Sequence, residues 1–149
     1  MSLQQDIMTA LKTAMKAKDQ TALAALRAVK SEILLAQTAT GSKEEISEDV
    51  EIQILCKMVK QRKDSAAIFL GQDRNDLAEP EIAQAEIISQ FLPAQLSEAE
   101  ITEEVIKAIE ITGASGMKDM GKVMGMVSQK LAGQADGKTI SNIVKTKLS

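Results

Sequence analysis

The sequence predicts an all-α protein, and three observations support that fold class. Hydrophobic residues make up 44% of the 149 residues, which is enough to build a buried core. Aromatic residues make up only 1%, so this core must consist of Leu, Ile, Val, Ala and Met side chains. Strong helix formers dominate the composition, and apolar residues recur at helical spacing with no useful stretch of alternation. We therefore expect helices and no strands.

The first half of the chain shows the pattern of four helices. The stretch at 38–47 is small and polar and is predicted as a loop, and Ser47 at its end is a good N-cap for the third helix. Gly71 is the expected stop of that helix. Pro80 is expected in the first turn of the fourth helix, which Pro93 should end. The first three helices are predicted over about 2–18, about 20–38 and 48 to about 70.

Three shorter helices follow and are joined by glycine turns. Ser97 and Glu100 have the spacing of a capping box, which places a helix start there, and Gly113 terminates that helix. The next helix is predicted over about 117–132, with a turn at 133–138. A short final helix carries Ile140, Ile143, Val144 and Leu148 on or near one face.

A domain boundary is predicted in the stretch FLPAQLS at 91–97. Before it lie four helices, some of them long, and after it lie three short ones. We therefore expect an N-terminal multi-helix domain at 1–93 and a small C-terminal three-helix domain at 94–149.

Several kinds of chemistry are missing from the sequence. There is no histidine, so Ser–His and Cys–His pairs and imidazole metal ligands are excluded, and no cofactor or metal site is predicted. Cys56 is either a small buried hydrophobe or a half-exposed thiol activated by nearby lysines. We find no signal peptide and no membrane-spanning run, and expect a cytoplasmic protein. Catalysis by this chain alone is not expected.

Charge is distributed unevenly along the chain. The stretch at 81–112 carries one lysine and seven glutamates, whereas the stretch at 113–149 carries six lysines and two aspartates. The last quarter is therefore basic although the whole chain has a net charge of −3. Such asymmetry favours an anionic partner for this part of the surface, although solvated helices also show it.

The helix at 117–132 contains two glycines four residues apart. Each interior glycine costs about 1 kcal/mol relative to alanine, so a close neighbour is expected at Gly121 and Gly125. The predicted core stripe beside them is Met120, Met124, Val127 and Leu131. Two interpretations stay open. Either another helix packs on the glycines, or a nucleic-acid backbone lies there and contacts Lys118, Lys122, Lys138 and Lys145.

A second basic patch lies earlier in the chain, in the stretch KMVKQRK. Lys60, Arg62 and Lys63 are expected to form a solvated helix face, with nucleic-acid contact as the alternative. The near absence of aromatic residues argues against recognition by base stacking. Any RNA would therefore be recognised through its shape and backbone.

Five stretches of the sequence together resemble the GatB/YqeY family over nearly the whole chain: KQRKDS, RNDLAEPE, FLPAQLSEAEI, KDMGKVMGMV and LAGQADGKTISNIVKTKL. The resemblance implies two helical domains, the second of them a three-helix unit. A similar module forms the tail of the B subunit of the tRNA-dependent glutamine amidotransferase, where it contacts tRNA while catalysis occurs elsewhere. The positions that match this tail are Gly121, Lys122, Gly125, Gly133, Asp136, Gly137 and Lys138.

The leading hypothesis is a non-catalytic helper that binds tRNA or another structured RNA through its C-terminal domain. One alternative is a protein-interaction adaptor in which the glycines receive a partner helix. Another is an accessory to the carbon–nitrogen ligase activity, with glutamine as amide donor, of separate amidotransferase subunits. Amidotransferase or tRNA-synthetase proteins are the protein partners considered, and neither DNA nor a membrane is expected.

Overall fold

The computed structural model describes residues 2–39, 41 and 46–149, so residues 40 and 42–45 of the predicted 38–47 loop lie outside the described residues. These ranges contain helices and no strand, which confirms the all-α prediction. The helices are α1 (Leu3–Ala17), α2 (Gln20–Ala39), α3 (Glu48–Gly71), α4 (Asn75–Ser89), α5 (Glu98–Thr112), α6 (Met120–Lys130) and α7 (Gly137–Leu148), with a 3-10 turn at Met117–Asp119 before α6.

The contacts of the chain form two compact units. The first runs from Met1 to Leu92 and holds α1 to α4, and the second runs from Pro93 to Ser149 and holds α5 to α7. Each unit has its own hydrophobic core. Independent folding of the two as domains remains a prediction.

The core of the first unit lies between its four helices. Helix α2 packs against α1, α3 and α4, and α3 packs along α4. The large side chains that are fully buried there include Leu26, Val29, Leu55 and Ile88. The side chain of Glu51 is buried in this unit, and its carboxylate accepts a hydrogen bond of 2.9 Å from Gln4 Nε2. A hydrogen bond of this kind offsets part of the cost of burying the carboxylate.

Helix α4 begins earlier and ends earlier than the sequence predicts. It starts at Asn75, after a turn in which Arg74 donates to both carboxylate oxygens of Asp76 at 3.0 and 2.9 Å. Pro80 therefore lies inside the helix and not in its first turn. In the helix interior its ring removes one backbone hydrogen bond. The helix ends at Ser89 and not at Pro93, because tighter i to i+3 turns take over, as in the bond from Phe91 N to Ile88 O.

The second unit is a bundle of three short helices around a core of aliphatic side chains. Ser97 and Glu100 form the predicted capping box at the start of α5, and Gly113 ends that helix with a φ of 67°. The segment before α5 is fixed to the turn after α6, since Gln95 Nε2 donates to Gly133 O at 2.6 Å and Leu96 N donates to Gln134 O at 2.9 Å. In the described ranges, no helix is both long and apolar enough to cross a membrane.

Candidate nucleic-acid interface

The buried face of α6 determines which of its residues are available to a ligand. Val123 and Val127 are fully buried against α5 and α7, whereas Met120 and Met124 are only partly buried. The predicted core stripe of Met120, Met124, Val127 and Leu131 does face the core, since the last two are buried and the two methionines pack against it, but the prediction missed the fully buried Val123. The helix predicted over 117–132 begins as a 3-10 turn, and the α-helix itself starts only at Met120. Val123 and Val127 form the centre of the face that α6 buries.

Gly121 and Gly125 lie on the opposite, exposed face of α6. Apart from its chain neighbours and the backbone of its own helix, a Cβ atom built on either glycine would meet no atom within 4 Å. The interpretation that another helix packs on these glycines is therefore wrong for the helices of the second unit. The two glycines instead leave a shallow, open strip along the helix backbone.

Two lysines flank this strip at the start of α6. Lys118 lies in the 3-10 turn and Lys122 in the first turn of α6, and both side chains are exposed. Neither forms an ion pair with a carboxylate among the described residues. The turn itself is stabilised by Asp119, whose Oδ2 accepts a hydrogen bond of 3.1 Å from the backbone N–H of Ser115. The two ammonium groups thus remain available to an anion.

Helix α7 presents a second basic stripe on the same unit. Lys138 and Lys145 are exposed and seven residues apart, which places them on one face about two turns, or roughly 10 Å, from each other. No ion pair holds either of them in the ranges described. No side chain caps the first turn of α7, because Asp136 at the N-cap position makes no such hydrogen bond. The carboxylate of Asp136 lies beside this turn, where it accepts from Thr139 Oγ1 at 3.5 Å, so its negative charge opposes the attraction of the free backbone N–H groups for an anion.

Two other lysines of this unit are occupied by a carboxylate. Lys130 Nζ lies 2.6 Å from Glu104 Oε2, and Lys107 Nζ lies 3.4 Å from Glu104 Oε1. The bond from Lys130, together with the charge of Lys107, lowers the pKa of the Glu104 carboxyl. The pair with Lys130 ties α5 to α6. The sequence did not indicate this pair, because its members lie on different helices and their relative orientation cannot be inferred from spacing alone.

The secondary basic patch on α3 is not one continuous surface. Lys60 and Lys63 are exposed, but Arg62 is partly buried against α4. Its Nε donates to Gln84 Oε1 at 3.0 Å and its Nη1 donates to the carbonyl of Met58 at 3.3 Å. Arg62 therefore contributes to packing between α3 and α4 and lies apart from the two lysines.

Cys56 of α3 matches neither sequence interpretation fully. It is partly buried, and this burial raises the pKa of its thiol. A raised pKa lowers the thiolate fraction at neutral pH, so the structure does not support activation of the thiol by Lys57 or Lys60.

Comparison with known proteins identifies the family. The family described as YqeY-like protein matches residues 4–148. The chain belongs to this family. The resemblance inferred from the sequence motifs is thereby confirmed.

Two curated relatives of the YqeY-like chain cover most of its length. Both are named altered inheritance of mitochondria protein 41, mitochondrial. The protein of Pyrenophora tritici-repentis is 32% identical over 129 residues, which is 84% of this chain and 68% of the relative. The protein of Clavispora lusitaniae is 33% identical over 125 residues, which is 82% of this chain and 72% of the relative. The expected cytoplasmic location is therefore wrong by this comparison, because these relatives are named as mitochondrial proteins.

A third relative shares only part of its length with this YqeY-like chain. The E subunit of the glutamyl-tRNA(Gln) amidotransferase of Thermococcus gammatolerans is 40% identical over 73 residues. The match covers 46% of this chain but only 12% of that relative. What the relative does as a whole therefore does not transfer to this chain.

Proposed function

We propose that this YqeY-like protein is a non-catalytic helper that binds tRNA or another structured RNA through the exposed face of α6 and α7. The observation that carries the proposal is the open glycine strip of α6 beside lysines without carboxylate partners. Gly121 and Gly125 serve no packing purpose among the described residues, so their cost in helix stability needs another explanation.

A phosphate backbone supplies that explanation. Without Cβ atoms at the two glycines, a sugar–phosphate chain approaches the helix backbone more closely than it would over alanine. Lys118 and Lys122 are then placed to contact phosphates on one side of the strip. Contacts of this type provide affinity and register without reading the base sequence. The chain has only two aromatic residues, Phe69 and Phe91, so recognition of RNA shape is favoured over base stacking.

A triple substitution tests this assignment. Lys118→Ala/Lys122→Ala/Lys138→Ala should weaken tRNA binding and flatten the log–log salt dependence by about 0.7–0.9 for each lysine–phosphate pair removed, or about 2–3 in total. The matched control is Lys16→Ala/Arg27→Ala/Lys57→Ala, which removes the same charge from exposed positions of the first unit. Equal affinity and equal slope for the triple variant and the wild-type protein would show that the site is wrong.

The open glycine strip also favours one alternative, an adaptor that receives a helix of a partner protein. Small residues four apart allow two helix backbones to approach closely. In that case Gly121→Leu should abolish binding of the partner, because a leucine side chain fills the strip, while the triple lysine variant keeps it. Retention of a purified partner by a folded Gly121→Leu protein would contradict the adaptor.

The relationship to the archaeal amidotransferase favours a further alternative, an accessory that supplies tRNA to separate amidotransferase subunits. Reconstituted transamidation with and without this chain separates this role from simple RNA binding. The accessory role predicts a lower apparent KM for tRNA when the chain is present. An unchanged rate and an unchanged KM would exclude it.

A further inference from the structure

An open groove lies between α1 and α2 of the first unit. It is formed by the N-terminal half of α1 and the C-terminal half of α2 and encloses a volume of about 600 Å³. Buried Ile7 and Ile33 contribute to its lining. Met8 and Leu34, on opposite helices, line it as well and are 41% and 50% exposed. Two large apolar side chains thus remain exposed beside two buried ones in the same groove.

The charge of this groove has one sign. Lys12 of α1 and Lys30 of α2 are the charged residues that line it within the described part of the chain, and both are exposed. The carboxylate of Glu51 accepts its hydrogen bond from Gln4 and does not line the groove. The groove therefore combines an apolar strip of four side chains with a positive rim, which complements a ligand that is apolar on one side and acidic on its flanks. The rest of its lining is polar and consists of Ser2, Gln4, Gln5, Thr9 and Gln37.

We propose that the groove between α1 and α2 binds an acidic amphipathic helix of another protein. Apolar side chains of that helix, spaced at i, i+4 and i+7, would lie between Met8 and Leu34. Its carboxylates would pair with Lys12 and Lys30. A helix fits because the groove is open along one side and follows α1 from Ser2 to Lys12, about 15 Å, or nearly three turns of a bound helix.

This proposal does not depend on RNA binding. The groove residues belong to the first unit, and the lysines that are assigned to RNA belong to the second. Variants of Lys12 and Lys30 therefore test the groove without altering the RNA site, and the failure of one proposal leaves the other intact.

The experiment selects helical peptides against the full-length protein from a displayed library. The library fixes Leu, Ile or Met at i, i+4 and i+7 and randomises the other positions. The expected result is enrichment of Asp and Glu beside the fixed positions. The consensus peptide, labelled and measured by fluorescence anisotropy, should bind Lys12→Glu/Lys30→Glu about tenfold or more weakly, because two attractive charges become repulsive. A peptide with its acids changed to Lys should bind that variant better than the wild-type protein.

Two further variants separate the charge and the apolar contributions. Lys16→Glu/Arg27→Glu introduces the same charges at exposed positions of the same two helices, and should weaken binding much less, because neither side chain lines the groove. Leu34→Ser should weaken binding although the charges are unchanged. Circular dichroism of each variant checks that its helix content is unchanged.

Each of the following results would overturn the proposal. The first is a consensus without acidic residues, or binding that is insensitive to Lys12 and Lys30. The second is self-association of the wild-type protein in sedimentation that Lys12→Glu/Lys30→Glu abolishes, which would make a second copy the occupant. The third is displacement of the peptide by dodecanoate at a concentration below the Kd of the peptide itself. That result would identify an aliphatic carboxylate, and not a helix, as the occupant of the groove. A gain in peptide affinity in Glu44→Gln/Glu45→Gln would assign the groove to the chain's own acidic residues.

Discussion

At the residue scale, changes at the two glycines of α6 are expected to affect stability and RNA binding in opposite directions. Gly121 and Gly125 have open space where a Cβ atom would lie, and neither has a positive φ. We expect each change to alanine to stabilise the protein by about 0.5–1 kcal/mol, since alanine is the better helix former and reduces the entropy of the unfolded chain. Denaturant unfolding measures this gain.

The same alanine variants should bind tRNA more weakly than the wild-type protein. Two methyl groups on the strip hold a phosphate backbone away from the helix. Ser128→Ala, at another exposed position of α6, is the matched control for a small change on this helix. Variants that are stabilised yet bind tRNA normally would leave the glycines without a role in RNA contact.

The Glu104 ion pairs give a prediction for pH dependence. Its pKa is lowered in the folded state by Lys130 and Lys107, so the stabilisation it provides is present above the unfolded-state pKa, about 4.3, and is lost as pH falls through the folded-state value. We expect Glu104→Gln to have a lower Tm than the wild-type protein at pH 7, and the difference to shrink below about pH 4. Glu103→Gln, an exposed neighbour on α5, is the control. A Tm difference that is independent of pH would contradict this account.

The sequence indicates the lysines of the second unit but not their pairing. Composition and position on a helical wheel select Lys118 and Lys122, and the basic last helix adds Lys138 and Lys145. The pairing of Lys130 with Glu104 depends on how α5 and α6 pack, and a single sequence carries no direct signal of that packing. An RNA would have to compete with Glu104 for Lys107 and Lys130, but not for the lysines without a carboxylate partner.

At the element scale, helix ends are predictable where a side chain or a glycine sets them. Ser97 Oγ accepts from Glu100 N at 3.3 Å, and Ser97 N donates to Glu100 Oε2 at 2.7 Å, which closes the capping box. Gly113 adopts the left-handed conformation that glycine tolerates best. The start of α4 is not predictable in this way, because Asn75 and Asp76 are residue types that favour N-caps, yet the N-cap position is Arg74, which makes no side-chain cap.

The capping box itself is testable. Ser97→Ala should destabilise the protein by about 1 kcal/mol, because the N–H of Glu100 loses its acceptor. Ser115→Ala, in the loop before the 3-10 turn, keeps its backbone bond to Asp119 and serves as the control. Equal free energies of unfolding for the two variants would show that the box adds nothing to α5.

The orientation of α6 is harder to predict from the sequence than its existence. Val123→Ala should destabilise the protein by about 2 kcal/mol, since it removes two buried methyl groups and leaves a cavity. Val127→Ala should cost a similar amount. Val50→Ala, at an exposed site on α3, removes the same atoms and should change the free energy of unfolding by less than about 0.5 kcal/mol. A smaller effect at Val123 than at Val50 would contradict the observed burial.

At the scale of the whole molecule, the sequence predicts a boundary between 93 and 94, and the contacts divide at Leu92 and Pro93. The fragment 93–149 is predicted to fold alone, because the core of the second unit draws on its own residues. Gln95 and Leu96 bond to the turn after α6, so a fragment that begins at Glu98 should have a lower Tm. Thermal unfolding by circular dichroism compares the two. A fragment 93–149 without a cooperative transition would contradict independent folding.

We propose that the second unit binds RNA through phosphate contacts, and a titration across salt concentrations tests this proposal. Purified protein and the fragment 93–149 are titrated with tRNA across a salt series. The account predicts affinity that falls linearly in log–log form, with a slope of about −2 to −4 for three to four contacts, and the same slope for the fragment. Absence of binding at low salt, or a salt slope that the fragment does not retain, would contradict it.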